Sequence, residues 1–170
     1  DYPATAVLTN VLADPTSGRL HKALVKNKLA ASSSGFSFQW GEPGVAIFLA
    51  EVGKGKDIES TKAALLSTLE DFGTPITDEE VARAKAKLLK QVELSFTSSQ
   101  SIALELSEWI GMGDWRLMFL ARDGLEQVTA DAVRKAASEY LVNDNRTLGL
   151  FIPEESPNRA DSIVRMKQAD

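Results

Sequence analysis

The spacing of apolar and polar residues divides the chain into helical and extended stretches. Residues 7–12 carry apolar side chains at helical spacing, which predicts a first helix that Asp1 can cap. A second, shorter helix is predicted to begin after Ser17, because Leu20 and Leu24 lie four residues apart and would share one face. The chain therefore begins with two helices.

An extended pattern follows. Aromatic and polar residues alternate from Phe36 to Trp40, which predicts a strand over residues 30–40. A turn at residues 41–44 leads to a second predicted strand over residues 45–52, which is apolar almost throughout. The two strands predict a hairpin, in which we expect the second strand to be the more deeply buried.

The next part of the chain is predominantly helical. Asp57, Asp114 and Thr129 are each predicted to cap a helix. Thr77 and Glu80 have the spacing of a capping box, in which each side chain bonds the backbone amide of the other residue. A further helix is predicted between the one that Thr77 begins and the one that Asp114 begins.

The pattern ends in a predicted strand over residues 146–152. Residues 154–170 show no apolar periodicity and are interpreted as a linker to a following domain, so residues 1–153 form the predicted domain. The predicted fold class is α+β: a two-layer sandwich in which several helices cover one face of a mixed or antiparallel sheet.

Composition narrows the functional classes. The 170 residues are 44% hydrophobic and 25% charged, as in an ordinary globular domain. The net charge of −5 argues against binding to nucleic acid, and no apolar run approaches the roughly 20 residues of a membrane span. The chain has no cysteine and a single histidine, His21, so neither thiolate metal sites nor a pair of histidine ligands can form.

Three segments share their order and spacing with a known family. Residues 17–30 combine a small-small-Arg-Leu helix with the start of a strand, residues 73–80 read Gly-x-x-Ile-Thr-x-x-Glu, and residues 128–147 continue the match. Together they resemble the pitrilysin/insulysin zinc metallopeptidases, which include mitochondrial processing peptidase. The resemblance is to the non-catalytic type of domain in that family.

The family's active domain binds zinc through His-x-x-Glu-His and a downstream glutamate. Here His21 is followed by Lys22 and has no second histidine, so that motif is absent. The family's partner half supplies an arginine and a tyrosine, but the matching residues 24–31 contain neither, and Arg19 belongs to the preceding motif. The resemblance therefore implies no catalytic, metal-binding or assigned binding residue in this chain, and zinc in a separate domain of the parent protein.

The resemblance also implies a place for the domain. It would be the second domain of the parent, following strand material ahead of Asp1 that this chain lacks. Its partners would be the zinc-bearing catalytic domain, in the same polypeptide or a partner subunit, and the peptide substrate of the parent. Its role would be to pack against the zinc-bearing domain and to form part of the wall of the proteolytic chamber. Because bacterial relatives are often exported, a periplasmic location is expected.

Two alternatives remain open at this stage. The chain could be a structural or assembly subunit of the same fold without proteolysis, similar to the core proteins of a respiratory complex. It could also be an unrelated α+β module that binds anions at residues 53–56, which lie between a predicted strand and a predicted helix. The basic residues Arg83, Lys87 and Lys90 are interpreted as a solvated helix face.

Overall fold

The computed structural model describes residues 2–40, 44–70 and 75–152. Asp1, most of the predicted turn at 41–44, residues 71–74 and the predicted linker lie outside the described residues. The chain order is helix, hairpin and then five helices: α1 Tyr2–Ala13, β1 Ser32–Phe38, β2 Val45–Glu51, α2 Ile58–Glu70, α3 Asp78–Ser95, α4 Ser99–Gly111, α5 Leu117–Gln127 and α6 Ala130–Tyr140.

Helix α1 lies at the centre of the core. Val7 and Leu12 are completely buried, and the helix contacts the hairpin, α3, α5 and α6. The predicted apolar face over residues 7–12 is confirmed. Helices thus cover one face of the hairpin, and the predicted α+β two-layer arrangement is confirmed.

A helical turn of π type at His21–Val25 follows α1. Leu20 and Leu24 are both fully buried, as their spacing predicts. The predicted cap at Ser17 is wrong, because the Ser17 backbone amide and hydroxyl both donate to Asp14 at the end of α1. The Asp14 carboxylate accepts these bonds, and the serine oxygen does not cap the turn.

The hairpin is antiparallel, with Phe36 paired to Ile47 and Phe38 paired to Val45. The expectation that its second strand is the more buried is wrong, since residues 45–47 are exposed. Gly35 lies so close to α1 that a Cβ there would come within 2.6 Å of the Ala13 Cβ. α1 packs mainly on β1, so this helix covers β1 more than it covers β2.

The predicted strand over residues 146–152 is also wrong. Arg146 has extended backbone angles, φ −125° and ψ 150°, but the described part of the sheet contains only β1 and β2. A strand needs a neighbour about 4.8 Å away in the hydrogen-bonding direction. A groove separates these residues from β2, so their extended pattern has no ladder partner in the described structure.

The helix caps predicted at Thr77, Thr129 and Asp57 form. The Thr77 and Glu80 capping box forms, and Thr129 caps α6 by accepting from the Ala132 amide. Asp57 accepts from the Glu59 amide at the start of α2. The predicted cap at Asp114 is wrong, because its carboxylate accepts from the Arg116 amide in the turn before α5, and α5 itself has no side-chain cap. α4 lies on the outside of the molecule and has no buried residue.

Gly18 tests the close packing of the loop that follows α1. A Cβ there would lie 2.5 Å from the backbone N and O of Asp14. We expect Gly18→Ala to lower the free energy of unfolding by about 2 kcal/mol, because backbone atoms cannot move aside cheaply.

Gly111→Ala is the matched control, since nothing lies within 4 Å of the added methyl at the end of α4. It should leave stability unchanged or raise it by about 0.5–1 kcal/mol. Urea unfolding of both variants checks the prediction, and equal stabilities would contradict the described packing.

Candidate functional site

His21 begins the π-type turn and is half-buried. Its backbone carbonyl accepts from the Lys26 amide, which fixes the turn. The described residues contain no group of three or more histidine, aspartate or glutamate side chains placed to hold a metal ion. The described structure therefore gives His21 no companions for a metal centre.

The segment after this turn is a wide loop, where the family's arginine and tyrosine would be expected. The Leu24 carbonyl accepts from the amides of Leu29 and Ala30, and Lys28 adopts a left-handed conformation with φ 60°. Lys26 and Lys28 point into solvent. The loop brings no arginine or tyrosine to the start of β1.

Arg19 is held in a structural contact with α3. Its Nε donates to Glu80 Oε1 at 3.0 Å and its Nη2 donates to Glu80 Oε2 at 2.6 Å. The same nitrogen also donates to the Pro75 carbonyl at 2.9 Å. This geometry agrees with the interpretation of Arg19 as part of the structural motif.

The Glu80 carboxylate therefore has two roles: it binds Arg19, and it caps α3 together with Thr77. Desolvation opposes its ionisation, but hydrogen bonds from the Arg19 side chain and the Thr77 backbone outweigh it and lower the pKa of Glu80 to about 2. The carboxylate accepts from the Thr77 amide at 3.0 Å, closing the capping box. One ionised group thus fixes the start of α3 and ties it to the loop after α1.

Asp14 is the second carboxylate between α1 and α3. Its side chain is 7% exposed, and Lys87 on α3 donates to it. Desolvation again opposes ionisation, but bonds from Lys87, Ser17 and Thr16 hold the pKa of Asp14 well below its usual range. The interpretation of Lys87 as part of a solvated face is therefore wrong. Sequence reasoning missed this pairing because Asp14 lies 73 residues away from Lys87 in the sequence.

The candidate anion loop at residues 53–56 is an exposed turn. Asp57 already places a carboxylate at the start of α2, where its Oδ1 accepts from the Glu59 amide at 3.0 Å and its other oxygen accepts from Ser60. These bonds lower the pKa of Asp57. A second anion at this helix terminus would meet an existing negative charge.

The outer face of the hairpin carries several large apolar side chains that nothing in the described structure covers fully. Each of its large apolar side chains is 38–56% exposed. The Phe36 and Phe38 rings stack at 6.4 Å between centroids, and the Phe38 and Trp40 rings stack at 6.3 Å. The face, called here the apolar sheet face, consists of Phe36, Phe38, Trp40, Val45, Ile47 and Leu49.

Residues 1–88 match the family model described as the peptidase M16 inactive domain. The chain belongs to the peptidase M16 family. The predicted resemblance is confirmed, and so is the non-catalytic type of the domain. No curated protein matches the chain.

Solved structures agree with this assignment. The chain is 39% identical to the inactive peptidase domain of a predicted zinc protease from Bordetella parapertussis, with a TM-score of 0.85 over 94% of this chain and 86% of that chain. It is 38% identical to a predicted zinc protease from Bordetella pertussis Tohama I, with a TM-score of 0.82 over 90% of this chain and 85% of that chain.

A more distant likeness shows the fold alone. A chain of complex III2 from Candida albicans is 18% identical, with a TM-score of 0.67. The match covers 80% of this chain and 35% of that chain. The fold therefore also occurs as part of a much longer polypeptide.

Within the part of the chain that the structure describes, the M16 inactive domain has no helix that is long and apolar enough to cross a membrane.

We expect the purified domain to bind no stoichiometric zinc, because His21 stands without companion ligands in the described residues. Equilibrium dialysis followed by metal analysis checks this. Tight, equimolar zinc that is lost in His21→Ala would contradict it.

The shared carboxylate predicts an acid-sensitive contribution to stability. The pKa of Glu80 falls from 4.5 to about 2 on folding, so its contribution is complete above pH 4.5 and is lost as the pH falls through about 2. We expect Glu80→Gln to be less stable than the wild type at neutral pH, and this difference to shrink in acid.

Glu79→Gln is the matched control, since Glu79 is the exposed neighbour on the same turn of α3. It should lower stability only slightly and keep the wild-type dependence on pH. Urea unfolding at a series of pH values measures both. A Glu80→Gln variant as stable as the wild type at neutral pH would contradict the assigned role.

Proposed function

We propose that this M16 domain is a non-catalytic structural part of a zinc metalloendopeptidase. In this proposal it packs against the zinc-bearing domain through the apolar sheet face and walls the proteolytic chamber. The observation that carries the proposal is the exposure of that face. The inactive-domain family match supports the structural, non-catalytic part of the role.

The two faces of the hairpin differ in what covers them. The inner face packs on α1, and Ser33 on that face is buried. The apolar sheet face instead leaves Phe36 50% and Trp40 56% exposed to water. Burial of apolar area is favourable by roughly 25 cal/mol per Å², so binding of a well-fitting partner to this face is favourable. Contiguous apolar patches of this kind mark interaction surfaces.

The chemistry of the face favours a protein partner. None of its six residues is charged, so it offers no basic group to phosphate or to an acidic membrane surface. Stacked aromatic rings flanked by Val45, Ile47 and Leu49 make a broad apolar area, as in the core of a permanent protein interface.

The comparisons favour a domain of the same protease as that partner. The Bordetella parapertussis relative is named as the inactive peptidase domain of a predicted zinc protease. An inactive domain of a protease implies an active counterpart, which would carry the zinc. The Candida albicans likeness shows the fold alone, so it does not favour an assembly role over this one.

Binding to the zinc-bearing domain of the same polypeptide, expressed separately, tests the proposal. Ile47 lies opposite Phe36 at the centre of the face, so Ile47→Lys would place a charge there. We expect it to weaken binding at least about tenfold, as for a central interface residue. Isothermal titration calorimetry measures the dissociation constants.

Leu104→Lys is the matched control, because Leu104 is 62% exposed on α4, away from the hairpin. It should bind as tightly as the wild type. The proposal fails if the wild-type domain does not bind the zinc-bearing domain, or if Ile47→Lys binds it as tightly as Leu104→Lys.

A further inference from the structure

Two loops meet at the open end of the hairpin, where β1 begins and β2 ends. The Ala31 amide donates to the Glu51 carbonyl at 2.7 Å, which joins the segment before β1 to the end of β2. The Thr61 hydroxyl on α2 donates to the Leu29 carbonyl at 2.9 Å, which joins the same segment to the helix after β2. The loop that precedes β1 and the turn that follows β2 are therefore neighbours in the fold.

Four exposed lysines occupy these two loops. Lys26 and Lys28 precede β1, and Lys54 and Lys56 follow β2. Within the described residues, none of the four has an ion pair or a side-chain hydrogen bond. These four residues, called here the lysine cluster, place four positive charges at one end of a chain whose net charge is −5.

The carboxylates in and beside the two loops leave this positive charge in excess. Glu51 accepts from the Ser32 hydroxyl at 3.1 Å, and Asp57 accepts from the Glu59 amide at 3.0 Å. The Glu59 side chain on α2 forms an ion pair with Lys62. Four lysines of the cluster therefore lie beside two carboxylates, and neither carboxylate is paired with any of them in the described structure.

Lys28 has a left-handed backbone conformation, with φ 60°. Glycine adopts that conformation without steric cost, whereas a lysine there is strained. The Lys28 amide donates to the Val25 carbonyl at 3.0 Å, a bond that glycine would form equally well. The backbone therefore gives no reason for a lysine at this position, and what the side chain adds is a charge on the exposed surface.

The arrangement of these charges favours an extended, acidic polypeptide as the ligand. A nucleic acid or an anionic membrane would bring many phosphates against the two carboxylates and the acidic remainder of the chain. An extended peptide places side chains of one face about 7 Å apart, so its carboxylates can meet the lysines of the two loops separately.

We propose that the lysine cluster binds an acidic segment of a partner polypeptide, through ion pairs with its aspartate or glutamate side chains. The lysine side chains make this surface, so it differs from an anion site on the backbone amides at the start of α2, which Asp57 already occupies. The apolar sheet face takes no part in it, and the inference goes beyond the proposed function.

Titration of residues 1–170 with a capped hexaglutamate peptide tests the proposal. We expect amide shifts in NMR spectra at residues 26–31 and 53–57 at millimolar peptide or below. About 0.5 M salt should abolish them, because exposed ion pairs are screened. Capped hexaglutamine should cause no shifts. Absence of hexaglutamate binding at low salt, or shifts located elsewhere, would overturn the proposal.

Substitutions to glutamine separate the contributions of the two loops. The double variants Lys26→Gln/Lys28→Gln and Lys54→Gln/Lys56→Gln should each weaken hexaglutamate binding at least about threefold. All four substitutions together should weaken it at least about tenfold. If either double variant binds as tightly as the wild type, the two loops do not form one binding surface and the proposal is wrong.

Lys90→Gln/Lys135→Gln is the matched control, since it removes two charges from exposed positions on α3 and α6. It should bind hexaglutamate as the wild type does. Weakening equal to that of the loop variants would show an effect of net charge alone and would contradict the proposal.

Inorganic phosphate and vesicles of anionic phospholipid test competing ligands. If either binds more tightly than hexaglutamate, and this binding is lost in the same loop variants, the cluster recognises phosphate and the proposal is wrong. The zinc-bearing domain takes no part in these measurements. A failure here therefore leaves the proposed function standing, and a failure of domain binding leaves the lysine cluster proposal standing.

Discussion

The contact between Arg19 and Glu80 is the interaction on which the arrangement of the helices depends. Arg19 follows α1 and Glu80 lies in the first turn of α3, 61 residues later. Glu80 also closes the capping box with Thr77, so one carboxylate both begins α3 and positions it. Lys87 and Asp14 join the same two elements about two turns farther along α3. Two of the three segments that carry the family resemblance are therefore in direct contact through Arg19 and Glu80.

Sequence was sufficient for several features whose cause is local, although the cap predicted at Ser17 is an exception. The capping box at Thr77, the cap at Thr129 and the buried pair Leu20 and Leu24 depend on neighbours a few residues away, and all three form as predicted. It failed where the cause is distant. An apolar run such as β2 predicts burial only if something covers both faces, and helices cover the hairpin on one face. Lys87 has an ordinary helical context and is paired only because Asp14 comes near it in space.

The candidate site shows the same division. The single histidine already indicated that no histidine pair could bind zinc, and that conclusion needed only composition. The apolar sheet face needed the structure, because alternation from Phe36 to Trp40 predicts a strand but does not say which face meets water. The six side chains of this face are exposed, and a groove lies beside β2. The sheet therefore has space for a protein partner on its outer face and at its edge. Both features are consistent with one domain of a larger protein.

A reconstituted peptidase assay tests the central claim most directly. Zinc content and cleavage of a peptide substrate would be measured for the M16 inactive domain, for the separately expressed zinc-bearing domain, and for an equimolar mixture. The proposed packing of the two domains predicts no cleavage by the inactive domain and a rate for the mixture at least about tenfold above that of the zinc-bearing domain alone. Cleavage by the inactive domain alone, or a mixture no faster than the zinc-bearing domain, would contradict it.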